Sequence, residues 1–412
     1  MGEPVDVAIL GGGPAGSVCA ARLASKGRRV VVLERERHPR FHLGESLLPC
    51  SLDVLEAIGV LDEVRARFLV KRGARFVDGK DERRTVRYAF RDAFHARRDH
   101  AFQVPRDVFD ELLFRRAGTC GAELREGWTA RQVAPARGME PAVTEALDPQ
   151  GATQTLTARF VVDATGRDAL LARATRDVTR IAHLDRTALY TQVRGAWRDE
   201  GERAGDIQIV VLGEETQRGW MWMIPFADGR TSVGAVVSNA WMRAHRAKES
   251  DPPALFDAAL REAPVAARML EGSERLFAPR ATADFSFQVS RMHGDGWLAL
   301  GDASGFIDPL FSTGAHLAMS GALLGADAID AALAASDVSA PRFDAWATQM
   351  RAGTSLFLGA VQAFYAGTLV DQLFATDQRP FIRRAVTSLL AGDVLDPDPR
   401  WANSLREWFP AL

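Results

Sequence analysis

Gly11-Gly12-Gly13-Pro14-Ala15-Gly16 has the spacing G-x-G-x-x-G. Gly11 permits a tight turn, Gly13 lets the backbone approach a pyrophosphate, and Gly16 lets a helix pack closely on a strand. The anion would rest on free N–H groups at the positive end of that helix. Glu34 follows about 18 residues after the last glycine, a spacing suited to a carboxylate on a ribose hydroxyl. Two further segments select a flavin over a nicotinamide. Asp163-Ala164-Thr165-Gly166-Arg167 and the late Gly301-Asp302-Ala303 each close an apolar run. A nicotinamide fingerprint needs nothing so distant, whereas Asp302 can hold the ribityl hydroxyls of FAD. Arg106 either approaches the pyrophosphate or ribityl side or is a solvated arginine at a helix start.

Lys71 is one of only four lysines (Lys26, Lys71, Lys80, Lys248) among 51 basic residues. It is either a surface cation or something guanidinium cannot be, a compact ammonium or an amine that loses its proton when desolvated. In Trp220-Met221-Trp222-Met223-Ile224-Pro225, period two places Trp220, Trp222 and Ile224 on one face. Two adjacent indoles make a rigid, dry wall, or the core of a plain sheet. Phe306-Ile307-Asp308-Pro309-Leu310-Phe311-Ser312-Thr313-Gly314 leads into a helix that Ser312 or Thr313 can cap. That helix is an ordinary one, or its positive end stabilises a reduced flavin ring or holds a small anion such as halide.

The elements that position these residues follow from apolar periodicity. Buried parallel strands are expected at Val5–Leu10, 28–34, 158–164 and 296–302, with a helix over 14–26 ending at Gly27. Residues 52–70 have helical spacing, and Lys71 would open the strand that follows. Residues 188–237 alternate as an antiparallel sheet with one buried face, and 314–334 and 341–366 are helical. The fold class is α/β, a Rossmann-like FAD-binding domain interrupted by an antiparallel-sheet substrate domain. The expected boundaries are 1–185 and 281–345 for the FAD domain, 186–280 for the sheet, and 346–412 for a C-terminal helical region.

Composition limits the function. The 412 residues carry 51 Lys plus Arg and 53 Asp plus Glu, a net charge of −2, which disfavours a nucleic-acid surface. No run of about 18 uninterrupted apolar residues suggests a membrane span. The N-terminus lacks a basic, apolar signal and a myristoylation pattern. Cys19, Cys50 and Cys120 are odd in number and lack metal-type spacing, so they read as reduced core thiols of a cytoplasmic protein without a metal site.

Four sequence features together resemble the flavin-dependent halogenases, within the FAD-dependent monooxygenases that share the p-hydroxybenzoate hydroxylase fold. W-x-W-x-I-P is matched by Trp220, Trp222, Ile224 and Pro225, and F-x-x-P-x-x-S-x-G by Phe306, Pro309, Ser312 and Gly314. Lys71 precedes Gly73-Ala74-Arg75-Phe76, and G-E-S-L-L-P is matched by 44–49. The resemblance implies FAD contacts at Gly11, Gly13, Pro14, Ala15, Gly16, Glu34, Arg35, Ser46, Arg106, Asp163, Asp302, Gly314 and Ala315. It implies halide at Thr313 and Gly314, and an active-site wall of Trp220, Trp222, Ile224, Pro225, Phe306, Pro309, Phe311 and Ser312. A partner flavin reductase would supply FADH2, and O2 with chloride or bromide would give hypohalous acid. That acid would reach Lys71 as a hydrogen-bonded guest or a haloamine, and then halogenate an aromatic ring. Halogenases of free tryptophan carry Glu before the S-T-G triplet, where this chain has Phe311. An activated phenol or pyrrole, free or tethered to a carrier protein, therefore fits better. The alternatives on the same fold are a flavin monooxygenase and a prenyl-type reductase.

Overall fold

The computed structural model describes residues 4–408, except 96, 137–139, 214–217, 247–248, 250 and 284. Its first sheet runs, from one edge, through His293–Gly294, Trp297–Ala299, Thr153–Asp163, Val5–Leu10, Val30–Glu34 and Glu123–Glu126. The central strands are parallel, with Val7 opposite both Phe160 and Val30. Both faces are covered, which is why these strands read as continuous apolar runs. Helices Pro14–Ser25, Arg106–Thr119 and Thr313–Ala334 lie together on one face. On the other, Ala8, Leu10, Val31 and Leu33 pack against Ala142 and Ala146 of the strand Ala142–Leu147.

The second sheet orders Glu274–Arg275, Arg186–Arg194, Arg230–Ser238, Gly219–Pro225, Ile207–Leu212, Gly73–Asp78 and Thr85–Ala89, with Arg280–Ala283 also on Arg186–Arg194. Two expectations change here. Gly73–Asp78 lies parallel to Ile207–Leu212, so the sheet is mixed, and it draws its strands Gly73–Asp78 and Thr85–Ala89 from the stretch 1–185. Neither face of its central strands, Ile207–Leu212, Gly219–Pro225 and Arg230–Ser238, is solvated. Trp220, Trp222 and Ile224 face the flavin-domain core, while Met221 and Met223 meet Trp241, Leu255, Phe256 and Val265 from helices Asn239–Arg246, Pro252–Glu262 and Pro264–Met269. Those helices supply the second cover that strand alternation alone does not reveal.

The helical stretch expected over 52–70 is two short helices, Ser51–Ala57 and Leu61–Arg67, broken at Gly59 with φ +74°. Lys71 then ends a short strand, Leu69–Lys71, rather than opening one. Thr313–Ala334 is long and apolar enough to cross a membrane, yet it is mostly buried beside Pro14–Ser25. Ion pairs of Arg22 with Asp327 and Lys26 with Asp330 fasten the two helices at their outer edge. The C-terminal region folds as helices Asp344–Ala366, Thr368–Leu373, Pro380–Ala391 and Pro399–Trp408. Cys19 is buried, but Cys50 and Cys120 are only half-buried, so only one of the three is a fully enclosed thiol.

Candidate active site

The glycine loop divides its three positions by function. Gly11 has φ +108°, and a Cβ there would stand 2.2 Å from the Ala164 carbonyl oxygen. A Cβ at Gly16 would meet the Gly11 carbonyl oxygen at 1.9 Å, so both are required by packing. Gly13 is different: its nearest such neighbour is Arg40 Nη2 at 3.5 Å, which leaves the approach open for a ligand. Pro14 occupies the first turn of the helix, where its missing N–H costs nothing, and Ala15 packs beside Gly301. Glu34 holds the loop directly, accepting from Gly12 N at 2.7 Å and from Glu36 N at 2.9 Å.

Arg106 is buried rather than solvated. It makes a fork to Asp110 (2.6 and 2.9 Å) and donates to the Leu43 carbonyl at 2.6 Å. Asp302 lies in a short turn, Gly301–Ser304, after the strand has ended at Ala299, and Arg106 and Arg167 pull against the burial that raises its carboxyl. Asp163 spends its carboxylate on its own turn, accepting from Thr165 N, the Thr165 hydroxyl and Leu171 N (3.1, 2.6 and 2.8 Å). It shapes the A-T-G turn. Arg35 is exposed and paired with Asp168, so the structure does not bring its side chain into the cradle.

The cradle fits FAD on an independent observation. Arg40 Nε, Ser46 Oγ and Gln103 Oε1 are buried without a hydrogen-bond partner. Each such atom costs about 1–3 kcal/mol unless something satisfies it. A bound dinucleotide with a polyol chain would supply such partners. Gln103, which pairs with Ser46, carried no motif of its own and is visible only once the strands are aligned.

The wall is built as the alternation predicts. Trp220, Trp222 and Ile224 are buried, and the two indoles are 5.7 Å apart at 49°. Trp222 lies flat because its cross-strand partner is Gly234, where a Cβ would stand 2.2 Å from the ring. Trp220 Nε1 donates to Tyr365 Oη at 3.0 Å, and Tyr365 donates to Asp308 Oδ2 at 2.9 Å. Trp222 Nε1 donates to Ser232 Oγ at 3.1 Å. Pro225 ends the strand.

Just before the core helix Thr313–Ala334, the chain forms a short turn, Pro309–Phe311, capped by Asp308, whose Oδ1 accepts from Leu310 N at 3.0 Å. The expected side-chain cap on the next helix does not form. Ser312 sits at the cap position in the left-handed region (φ 57°) and makes no side-chain hydrogen bond to the first-turn amides. Thr313 and Phe311 are buried, and Phe306 packs against the Gly314 backbone. A cavity of about 240 Å³ is lined by Asp302, Phe306, Thr313, Gly314, Leu317 and Thr354, among others. An open hollow of about 460 Å³ beside Phe68, Val70 and Gly205 is larger, but Lys71 and the cofactor loops do not line it.

Lys71 is 2% exposed. Its Nζ donates to the Leu47 carbonyl at 3.0 Å and lies 5.2 Å from the Phe90 ring centre. Burial pushes the amine down to about 7, with Asp206 pulling the other way. An amine so placed has a neutral, nucleophilic fraction at neutral pH. Glu45, on the segment that supplies Leu47, is also pushed to about 7, in its case upward by burial.

The tryptophan halogenase family profile matches residues 6–96 and 82–374. The chain belongs to that family. It is 29% identical to the 1H-pyrrole-2-carbonyl-[peptidyl-carrier protein] chlorinase of Pseudomonas fluorescens, over 94% of this chain and 89% of that one. Among solved structures it is similar to the flavin-dependent brominase Bmp2 (TM-score 0.86, 25% identity, 100% of both chains). It is equally similar in fold to a flavoprotein/dehydrogenase from Cytophaga hutchinsonii (TM-score 0.86, 31% identity, 95% and 93% covered). The enzyme is a flavin-dependent halogenase, an oxidoreductase that uses FAD and halide.

Proposed function

We propose that the enzyme halogenates an electron-rich aromatic, a phenol or a pyrrole, through Lys71, and that the substrate is carried on a peptidyl carrier protein. The observation that supports this reading is a buried amine held near neutrality against Leu47 and Phe90, in the core that also holds Trp220 and Trp222. Reduced FAD, supplied by a partner reductase, brings the electrons that activate O2. The chain's own residues do the rest. The uncapped N–H groups of Thr313 and Gly314, at the positive end of a 22-residue helix, attract the halide. Trp220, Trp222 and Ile224 exclude water and keep the substrate away from the cofactor. Lys71 retains the oxidised halogen, as a hydrogen-bonded acid or a haloamine, and delivers it to the ring.

Phe311 offers no base at the position beside Ser312, so the ring must be activated by its own oxygen or nitrogen. A carrier-bound pyrrole meets that need and parallels the substrate named for the Pseudomonas relative. Unpaired thiols at Cys19, Cys50 and Cys120 suit a reducing, cytoplasmic setting.

The test combines the enzyme with FAD, a flavin reductase, NADH and chloride or bromide, against free and carrier-bound phenols and pyrroles, read by product isotope pattern. Lys71→Ala and Lys71→Arg should abolish halogenated product while FAD binding and FADH2 oxidation persist. Full product yield from either variant removes Lys71 from this role. NADH consumption without the reductase would instead indicate a self-reducing monooxygenase.

A further inference from the structure

Glu45 is 2% exposed, and its carboxyl turns into the second sheet. Gln192 Nε2 donates to its Oε1 at 2.9 Å, and the Ser232 hydroxyl donates to it as well. Ser232 Oγ is the acceptor of the Trp222 indole N–H, and Gln192 Oε1 accepts from Arg230 Nη1 at 3.0 Å. The charged groups facing the carboxyl are Arg106 from the helix Arg106–Thr119 and Arg230 from the sheet. On the backbone side, the Glu45 carbonyl accepts from Val104 N at 2.7 Å. Two residues later the Leu47 carbonyl holds Lys71 Nζ. One short segment therefore carries a tie to the tryptophan wall on its side chain and the anchor of the reactive amine on its main chain.

We propose that Glu45 is a positioning residue for Lys71, locking the carbonyl that anchors the amine to the Trp222 wall, and that protonation of Glu45 loosens the lock. The proposal rests on the reading that Lys71 handles the halogen. Ionised, Glu45 accepts from both Gln192 and Ser232. Protonated, one of its oxygens must donate. The Ser232 hydroxyl, which already takes the indole N–H, then loses its own acceptor. Burial places this exchange near pH 7, so the tie is complete above neutrality and weakened below it.

Glu45→Gln keeps the size and the acceptor for Gln192 but cannot ionise. Product formed per FADH2 oxidised should fall about three- to tenfold in this variant and lose the Glu45 component of its rise between pH 6 and 8. FAD affinity should stay at the wild-type value. In infrared difference spectra, a protonated-carboxyl band titrating near pH 7 should vanish. Ser232→Ala removes a donor to the carboxylate, so it should move the midpoint of the pH profile upward rather than erase it. Wild-type yield from Glu45→Gln, or a reduced yield with the wild-type pH profile, overturns the proposal. Lys71→Ala separates the two ideas. If it halogenates normally, the lysine reading has failed and this one with it. If it is inactive while Glu45→Gln is normal, only the role of Glu45 has failed.

Discussion

An amine enclosed beside one carbonyl and one aromatic ring loses the hydration that keeps lysine charged, and Lys71 is held at about 7 for that reason. Its folded-state value lies below the ordinary 10.5 of an unfolded lysine. The unfolded chain therefore binds the extra proton between pH 7 and 10.5, and stability rises with pH through that window. Below pH 7 the full cost is present, on the order of 5 kcal/mol. Lys71→Met should thus melt above the wild type at pH 7. Its advantage should shrink toward pH 10, where the Leu47 carbonyl it leaves unpaired makes it the less stable protein. Thermal melts at the two pH values check the sign. Lys71 was legible in the sequence because lysine is scarce in an arginine-rich chain. The roles of Glu45 and Tyr365 were not, since their partners, Gln192 and Ser232 for one, Trp220 and Asp308 for the other, lie 57 or more residues away, beyond any local pattern.

At the scale of elements, the strand–glycine loop–helix unit was readable because everything that forms it is local: an apolar strand, Gly11, Pro14 and a stop at Gly27. The same loop separates packing from binding. Gly16→Ala must displace the Gly11 carbonyl and should lower the unfolding midpoint in denaturant. A Cβ at Gly13 has room in the folded chain, so Gly13→Val should lose no more than the roughly 1 kcal/mol of a poorer helix cap, yet purify colourless because its side chain fills the place of the pyrophosphate. A yellow Gly13→Val protein would contradict the cradle. The lysine strand was misread as following one long helix, since a single positive-φ glycine, Gly59, splits otherwise helical spacing. Ser312 repeats that lesson at the head of the core helix. Its left-handed backbone costs a non-glycine residue roughly 1 kcal/mol. Ser312→Gly should raise stability by about that amount in denaturant titrations.

Across the whole molecule, two sheets and a helical C-terminal region meet at the site. Burial alone does not specify how they are registered, because apolar contacts are non-directional. Buried polar links do. The strand 219–225 is tied to the helix Asp344–Ala366 through Trp220 and Tyr365, and that helix to the loop before the core helix through Tyr365 and Asp308. Arg186 stacks its guanidinium 3.9 Å over the same tyrosine ring. Tyr365 thus joins all three parts, which gives the C-terminal helices a definite role that their amphipathic sequence does not announce. Tyr365→Phe keeps the ring and the cation stack but leaves the Trp220 N–H and one Asp308 oxygen buried without partners. Stability should fall by about 2–6 kcal/mol, the sum expected for two such orphaned groups. Asp308, already pushed up to about 6 by burial, should rise further once the hydroxyl that stabilises its ionised form is gone. In the wild type its folded-state value exceeds the ordinary 3.8, so its ionisation costs stability that is absent below pH 4 and complete above pH 6. The loss caused by Tyr365→Phe should therefore be larger at pH 7 than at pH 5, and denaturant midpoints at those two values measure it. An equal loss at both would detach Asp308 from the link between the sheet and the C-terminal helices.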